Sequence, residues 1–196
     1  LIGYKFLRTG ALGRFSQFRW PTPRPDGPGE WVAAEGELEN CRNGIHACRA
    51  SDLPRWIDDE LWEIELDGPV QELPSLVVAP RGRLTRRIDA WNDALALEFA
   101  AACAQRAGHE PTGQAAAFAA DAQALVDGRR PEMWQEIPGL PPQSASATAA
   151  NLGFVVAHSA GSAAAEHSGD AAAYQAAFDA ERAWQLDWLT ERLAVG

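Results

Sequence analysis

Residues 60–68, ELWEIELDG, alternate along the chain. In an extended strand Trp62, Ile64 and Leu66 fall on one side, and Leu61, Glu63, Glu65 and Asp67 on the other. Asp67-Gly68-Pro69 ends that strand. GYKFLR (3–8) and GIHACR (44–49) are shorter apolar runs bounded by glycine and turn residues, which predicts two more strands. PTPRPDGPGE (21–30) is a surface loop, with a strand following around Trp31–Ala33. Ser51 or Asp52 caps a short helix, with Pro54 in its first turn. SLVVAP (75–80) and RLTRRI (83–88) form either a hairpin or one bent strand.

The pattern changes after Ile88. Asp89 can cap a helix in which Trp91, Leu95, Phe99 and Cys103 recur every four residues. A second helix begins at Thr112 and stops at Gly128. Residues 130–146 read as a proline-rich connection. A third helix covers roughly 147–166 and a fourth about Asp170–Leu193. Strands followed by helices predict an α+β fold. The expected architecture is a mainly antiparallel sheet over 1–88, packed against an alanine-rich helical layer over 89–196, the two forming one compact domain.

The 196 residues carry a net charge of −10. Residues 89–196 hold 14 acidic and 5 basic side chains, whereas residues 1–88 are balanced at 13 and 12. An acidic chain is a poor ligand for phosphate backbones or anionic lipid, so nucleic-acid and membrane-surface binding are not expected. No apolar window is long enough to span a bilayer, and residues 1–10 do not read as a secretory signal. With three cysteines, the expectation is a cytoplasmic protein with reduced thiols. Eight tryptophans predict a core built on large aromatics, with a stacking pocket for a flat ligand as the functional alternative.

Four constellations carry candidate chemistry. In CRNGIHAC, Cys41, His46 and Cys48 offer thiolate, imidazole and thiolate, a set suited to zinc or haem. The fourth ligand is not specified; Cys103, His109, His158 and His167 are equal candidates. A Cys41–Cys48 disulfide and buried free thiols are the other readings, the last the leading one. Glu63 and Glu65 share a strand face and could divide acid from base work, or simply face solvent. Arg83 and Arg87 share a face of RLTRRI and could grip a phosphate or carboxylate, or pair with the acidic helical half. In the last helix Glu181 and Gln185 fall inside the apolar arc of Tyr174, Phe178, Trp184 and Trp188. They either pair with each other or with the sheet, or line a polar pocket. Ligand contacts are therefore expected among Trp62, Arg83, Arg87, Glu181, Gln185 and Trp188. No GxGxxG, Walker, GxSxG or HExxH motif is present, and the cofactor is left open.

Two resemblances follow from these motifs. YKFL, CRNGIHACRASDLPRWI and ELWEIELDG resemble a family of uncharacterised proteins from actinobacteria and their phages, with a GxHAC…ELWxIELDG core. This implies a bacterial cytoplasmic protein. GIHAC followed by ELWEIELDG also resembles the core of ADP-ribosyltransferases. That comparison implies that GYKFLRTG is the first NAD-contacting strand and that His46 replaces the tyrosine stacked on nicotinamide. Arg8 stands near the first-motif position, and Glu63 and Glu65 match the paired glutamates in spacing. The first-strand histidine and the serine-threonine-serine segment of that family are absent. The leading expectation is a module binding a small molecule or a protein partner, with a homodimer as one assembly. The rival is a transferase-like enzyme for a nucleotide-type ligand, using Arg8, His46, Glu63 and Glu65.

Overall fold

The computed structural model describes residues 1–40, 42–106 and 144–195, together with the helical residues Ala120 and Ala124. The helix expected from Thr112 to Gly128 and most of the proline-rich connection lie outside the described residues, as do Cys41 and His109. The protein is α+β, and it divides into two compact units. One is Leu1–Trp91 with Leu193–Gly196; the other is Asn92–Arg192.

The first unit holds two antiparallel sheets. Strands β1 (Ile2–Leu7), β2 (Val32–Ala33), β4 (Glu60–Asp67) and β7 (Arg81–Arg87) form one, in the order β1-β4-β7-β2. Strands β3 (Ile45–Ala47), β5 (Gln71–Leu73) and β6 (Leu76–Ala79) form the other, in the order β3-β6-β5. Strands β6 and β7 make no hairpin: the chain bends at Pro80 and passes from one sheet to the other. The alternation of β4 points Trp62, Ile64 and Leu66 into a core shared with Ile45, Ala47, Val77, Ala79 and Leu84 from both sheets. Gly82 permits this approach. A Cβ there would stand 2.8 Å from Ile45 Cγ2 and 3.1 Å from Leu66 Cδ2.

Between β3 and β4, a 3₁₀ turn (Ala50–Asp52) leads into the one-turn helix α1 (Leu53–Trp56). Asp52 occupies the cap position, but no side chain caps this helix. Its carboxylate instead meets Arg49 Nε at 2.8 Å. The local ion pair outcompetes the free helix amides because it is charged on both sides.

The second unit contains α2 (Asp93–Arg106), α3 (Ala145–Ser168) and α4 (Ala171–Leu193, of which residues up to Arg192 belong to this unit). The α2 cap is Asn92, whose Oδ1 accepts from the Leu95 amide, rather than Asp89. Trp91 therefore precedes the helix. Its indole N–H donates to the Asp58 carbonyl at 2.8 Å, and its ring meets Phe6 edge-on within the first unit. Ser144 Oγ caps α3 at the Ala147 amide, and Gly169 closes that helix in the left-handed conformation. Among the described residues, no helix is long and apolar enough to cross a membrane.

Candidate ligand site at Lys5

Beyond β1, residues 8–20 fold into a small lobe. Arg8 and Leu12 exchange backbone hydrogen bonds, Gly13 N–H donates to the Phe18 carbonyl, and Trp20 N–H donates to the Ala11 carbonyl. Gly10 turns the chain at φ +79°, where Arg19 Nη1 reaches its carbonyl at 2.7 Å. Three consecutive acidic residues around the start of β4, Asp58, Asp59 and Glu60, tie the lobe down. Asp58 meets Arg14 Nε at 2.9 Å, and Asp59 accepts from the Thr9 amide and hydroxyl. Glu60 is buried, and its carboxylate accepts from the Gly10 and Ala11 amides and from the Trp62 indole N–H, at 2.9–3.1 Å. Three donors offset the cost of burying the carboxylate. Burial pushes the Asp58 pKa up, and the Arg14 guanidinium opposes that rise.

The lobe, β1 and β3 border a cavity of about 750 Å³ that is half open to solvent, the size of a small-molecule site. Its wall is mainly apolar and aromatic: Phe15, Phe18, Trp20, Trp56 and Val32 contribute to it. Phe18 meets Trp20 edge-on at 5.7 Å. Phe15 (83% exposed) and Phe18 (44%) carry apolar surface out to solvent. In this wall lies Lys5, which pairs with Trp62 across the β1–β4 ladder and so shares its face of the sheet. Lys5 Nζ lies 4.9 Å from the Trp20 ring centroid and donates to the His46 carbonyl. Among the described residues no carboxylate pairs with it. Removal from water lowers its pKa to about 8, with the neighbouring Cys48 opposing the shift.

His46 and Cys48 flank the same cavity. His46 is half-buried; its Nδ1 donates to the Gly44 carbonyl, and burial lowers its pKa, leaving a neutral ring. Cys48 is a buried free thiol, pushed up to about 12 by burial and by Asp52. A thiol so far from ionisation is a poor metal ligand or nucleophile. No group of three His, Cys, Asp or Glu among the described residues could hold a metal ion. His158, offered as a fourth ligand, lies in the helical unit with its Nδ1 at 2.6 Å from the Tyr174 hydroxyl; His167 is exposed on α3. Cys103 is a buried free thiol on α2, its pKa raised by burial.

The glutamates and arginines of β4 and β7 form a ladder. Glu65 meets Arg83 at 2.7 Å and Glu63 meets Arg86 at 3.1 Å; Thr85 Oγ1 donates to Glu63 at 2.8 Å. Arg81 and Arg83 also pack on the Trp31 ring, each guanidinium within 4.5 Å of its centroid. Arg83 and Arg87 do not share a face, contrary to strict alternation. A bulge opposite Glu63/Ile64 inserts Thr85 as an extra residue, so Arg83 and Arg86 face Glu65 and Glu63 while Arg87 stands opposite Trp62. Arg87 lies 3.7 Å from Glu60 and 3.4 Å from Asp89. These arginines thus find their acids in their own sheet and its flank, where the sequence reading looked to the helical half. Glu63 and Glu65 lie on the opposite face of the sheet from Lys5 and Trp62, and Arg8 is exposed at the end of β1.

In the helical unit Glu181 and Gln185 are buried, and neither turns to the other. Glu181 meets Arg106 of α2 at 2.7 Å. Gln185 donates to the Gly153 carbonyl of α3 and accepts from Arg182. Trp188 packs on Phe99 and is capped by Arg192 at 3.9 Å.

Sequence reasoning passed over Lys5, Trp20 and the lobe. One signal was present: the chain has sixteen arginines and one lysine. No family model, curated protein or solved structure matches the chain.

Proposed function

We propose that the β-rich unit is a small-molecule-binding module, and that the cavity at Lys5 is its site. The observation that carries this is an aromatic-walled cavity of about 750 Å³ with a single amine in its wall. Apolar walls supply affinity, and a few polar groups fix orientation. The ligand has a flat or apolar body, because Trp20, Phe18 and Phe15 present ring surface to it. A bacterial cytoplasmic setting, implied by the GIHAC…ELWEIELDG resemblance, agrees with free thiols at Cys48 and Cys103. The transferase-like alternative gains little here. Its two glutamates are engaged by Arg83, Arg86 and Thr85 on the far face of the sheet from Lys5.

The test is native mass spectrometry of protein purified from a bacterial host, with calorimetric titration of aromatic alcohols, acids and aldehydes. The expected result is a one-to-one complex that Ala34→Trp abolishes, because Ala34 lines the cavity and a tryptophan there fills it. A bare mass together with no heat from any probe would overturn the reading.

A further inference from the structure

Sixteen of the seventeen cationic side chains of this chain are arginine. Where a site only needs to hold an anion, arginine serves better, since its planar fork grips a carboxylate at two points. Lysine differs in one chemical respect that matters here: it can give up its proton and become a nucleophile. The one lysine lies against Trp20 and Cys48 in the wall of an apolar cavity. Its Nζ is oriented by the His46 carbonyl, and no acidic partner among the described residues holds it in the charged form. We propose that Lys5 is a covalent anchor for a carbonyl compound, so that the ligand class of the cavity is aldehydes with an aromatic or apolar body. This rests on the ligand-site reading above.

The step balances simply. The Lys5 nitrogen lone pair adds to the carbonyl carbon and forms a C–N bond. The carbonyl oxygen then leaves as water, taking both amine hydrogens, and a neutral imine remains. No oxidant or reductant is required, and water reverses the bond. The apolar wall favours the neutral amine before the reaction and the neutral imine after it. The titratable groups beside the amine are His46 and Cys48. The other charged residues lining the cavity, Arg14 and Arg42, are paired with Asp58 and Glu39.

The experiment compares 2-naphthaldehyde with its alcohol, 2-naphthalenemethanol, on the full chain. The alcohol reports the cavity alone, by calorimetry. The aldehyde reports the amine, by intact mass and peptide mapping after cyanoborohydride traps the imine as a secondary amine. The expected result is one adduct per chain, on Lys5. It should form at least tenfold faster than on Nα-acetyl-lysine at pH 7, with a pH inflection about two units below that of the free amine. Lys5→Arg and Lys5→Met should lose the adduct, whereas Ala34→Trp should lose both the adduct and alcohol binding. Alcohol bound without a Lys5 adduct, or labelling no faster than the free amine, would overturn the anchor and leave the ligand site standing. Neither probe engaging the protein would overturn both.

Discussion

Lys5 and Glu60 solve the problem of buried charge in opposite ways. Glu60 is surrounded by donors. Lys5 has one carbonyl and an aromatic face, and its charged form is the disfavoured one. With a folded pKa near 8 and an unfolded value near 10.4, the native state binds fewer protons between those values. Stability therefore rises with pH across roughly pH 8 to 10, and the full cost of the ammonium is present below pH 8. Urea denaturation of wild type and Lys5→Met should show the variant more stable at pH 7, by about 1 kcal/mol. That difference should shrink by pH 10; an unchanged difference would refute the assignment. For Glu60→Ala the expected loss is about 2–4 kcal/mol at pH 7, because two lobe amides and the Trp62 indole are left without their acceptor. The lone lysine could be seen in the sequence, but its surroundings could not. Residues 9–20 show no apolar period, since their order comes from Asp58, Asp59 and Glu60, about forty to fifty positions away.

At the level of elements, strand identity was legible because β4 buries one face and alternates accordingly. The faces of β7 were not. A single inserted residue, Thr85, reverses the alternation, and nothing in RGRLTRR marks which residue is extra. The bulge is what puts Arg86, rather than Arg87, on the same face as Arg83. The ladder itself is partly exposed, so a double-mutant cycle on Glu65 and Arg83 should give a coupling of only about 0.5–1 kcal/mol, falling with added salt. Gly82→Val is expected to cost about 1–3 kcal/mol in a thermal melt, because its side chain would press on Ile45 and Leu66, one from each sheet. A variant as stable as wild type would mean that the sheets can separate there without loss.

At the scale of the molecule, the order of strands before helices was enough to identify an α+β protein. The assignment of the last residues was not readable in the same way. Leu193 ends a long helix whose earlier turns belong to the helical unit, yet Leu193 and Val195 are buried and belong to the β-rich unit. Leu193→Ala should therefore destabilise that unit by about 2–4 kcal/mol, seen as a lower midpoint in guanidinium followed by tryptophan fluorescence. Because its two segments bracket the helical unit in sequence, the β-rich unit cannot be completed in the order in which a ribosome delivers it. Its strands emerge first and must wait until residues 92–192 have followed before their closing contacts can form. During that interval an incomplete apolar core is exposed. The chain's exposure to chaperones and to self-association is then set by how long synthesis takes to reach Leu193, rather than by the stability of the finished fold.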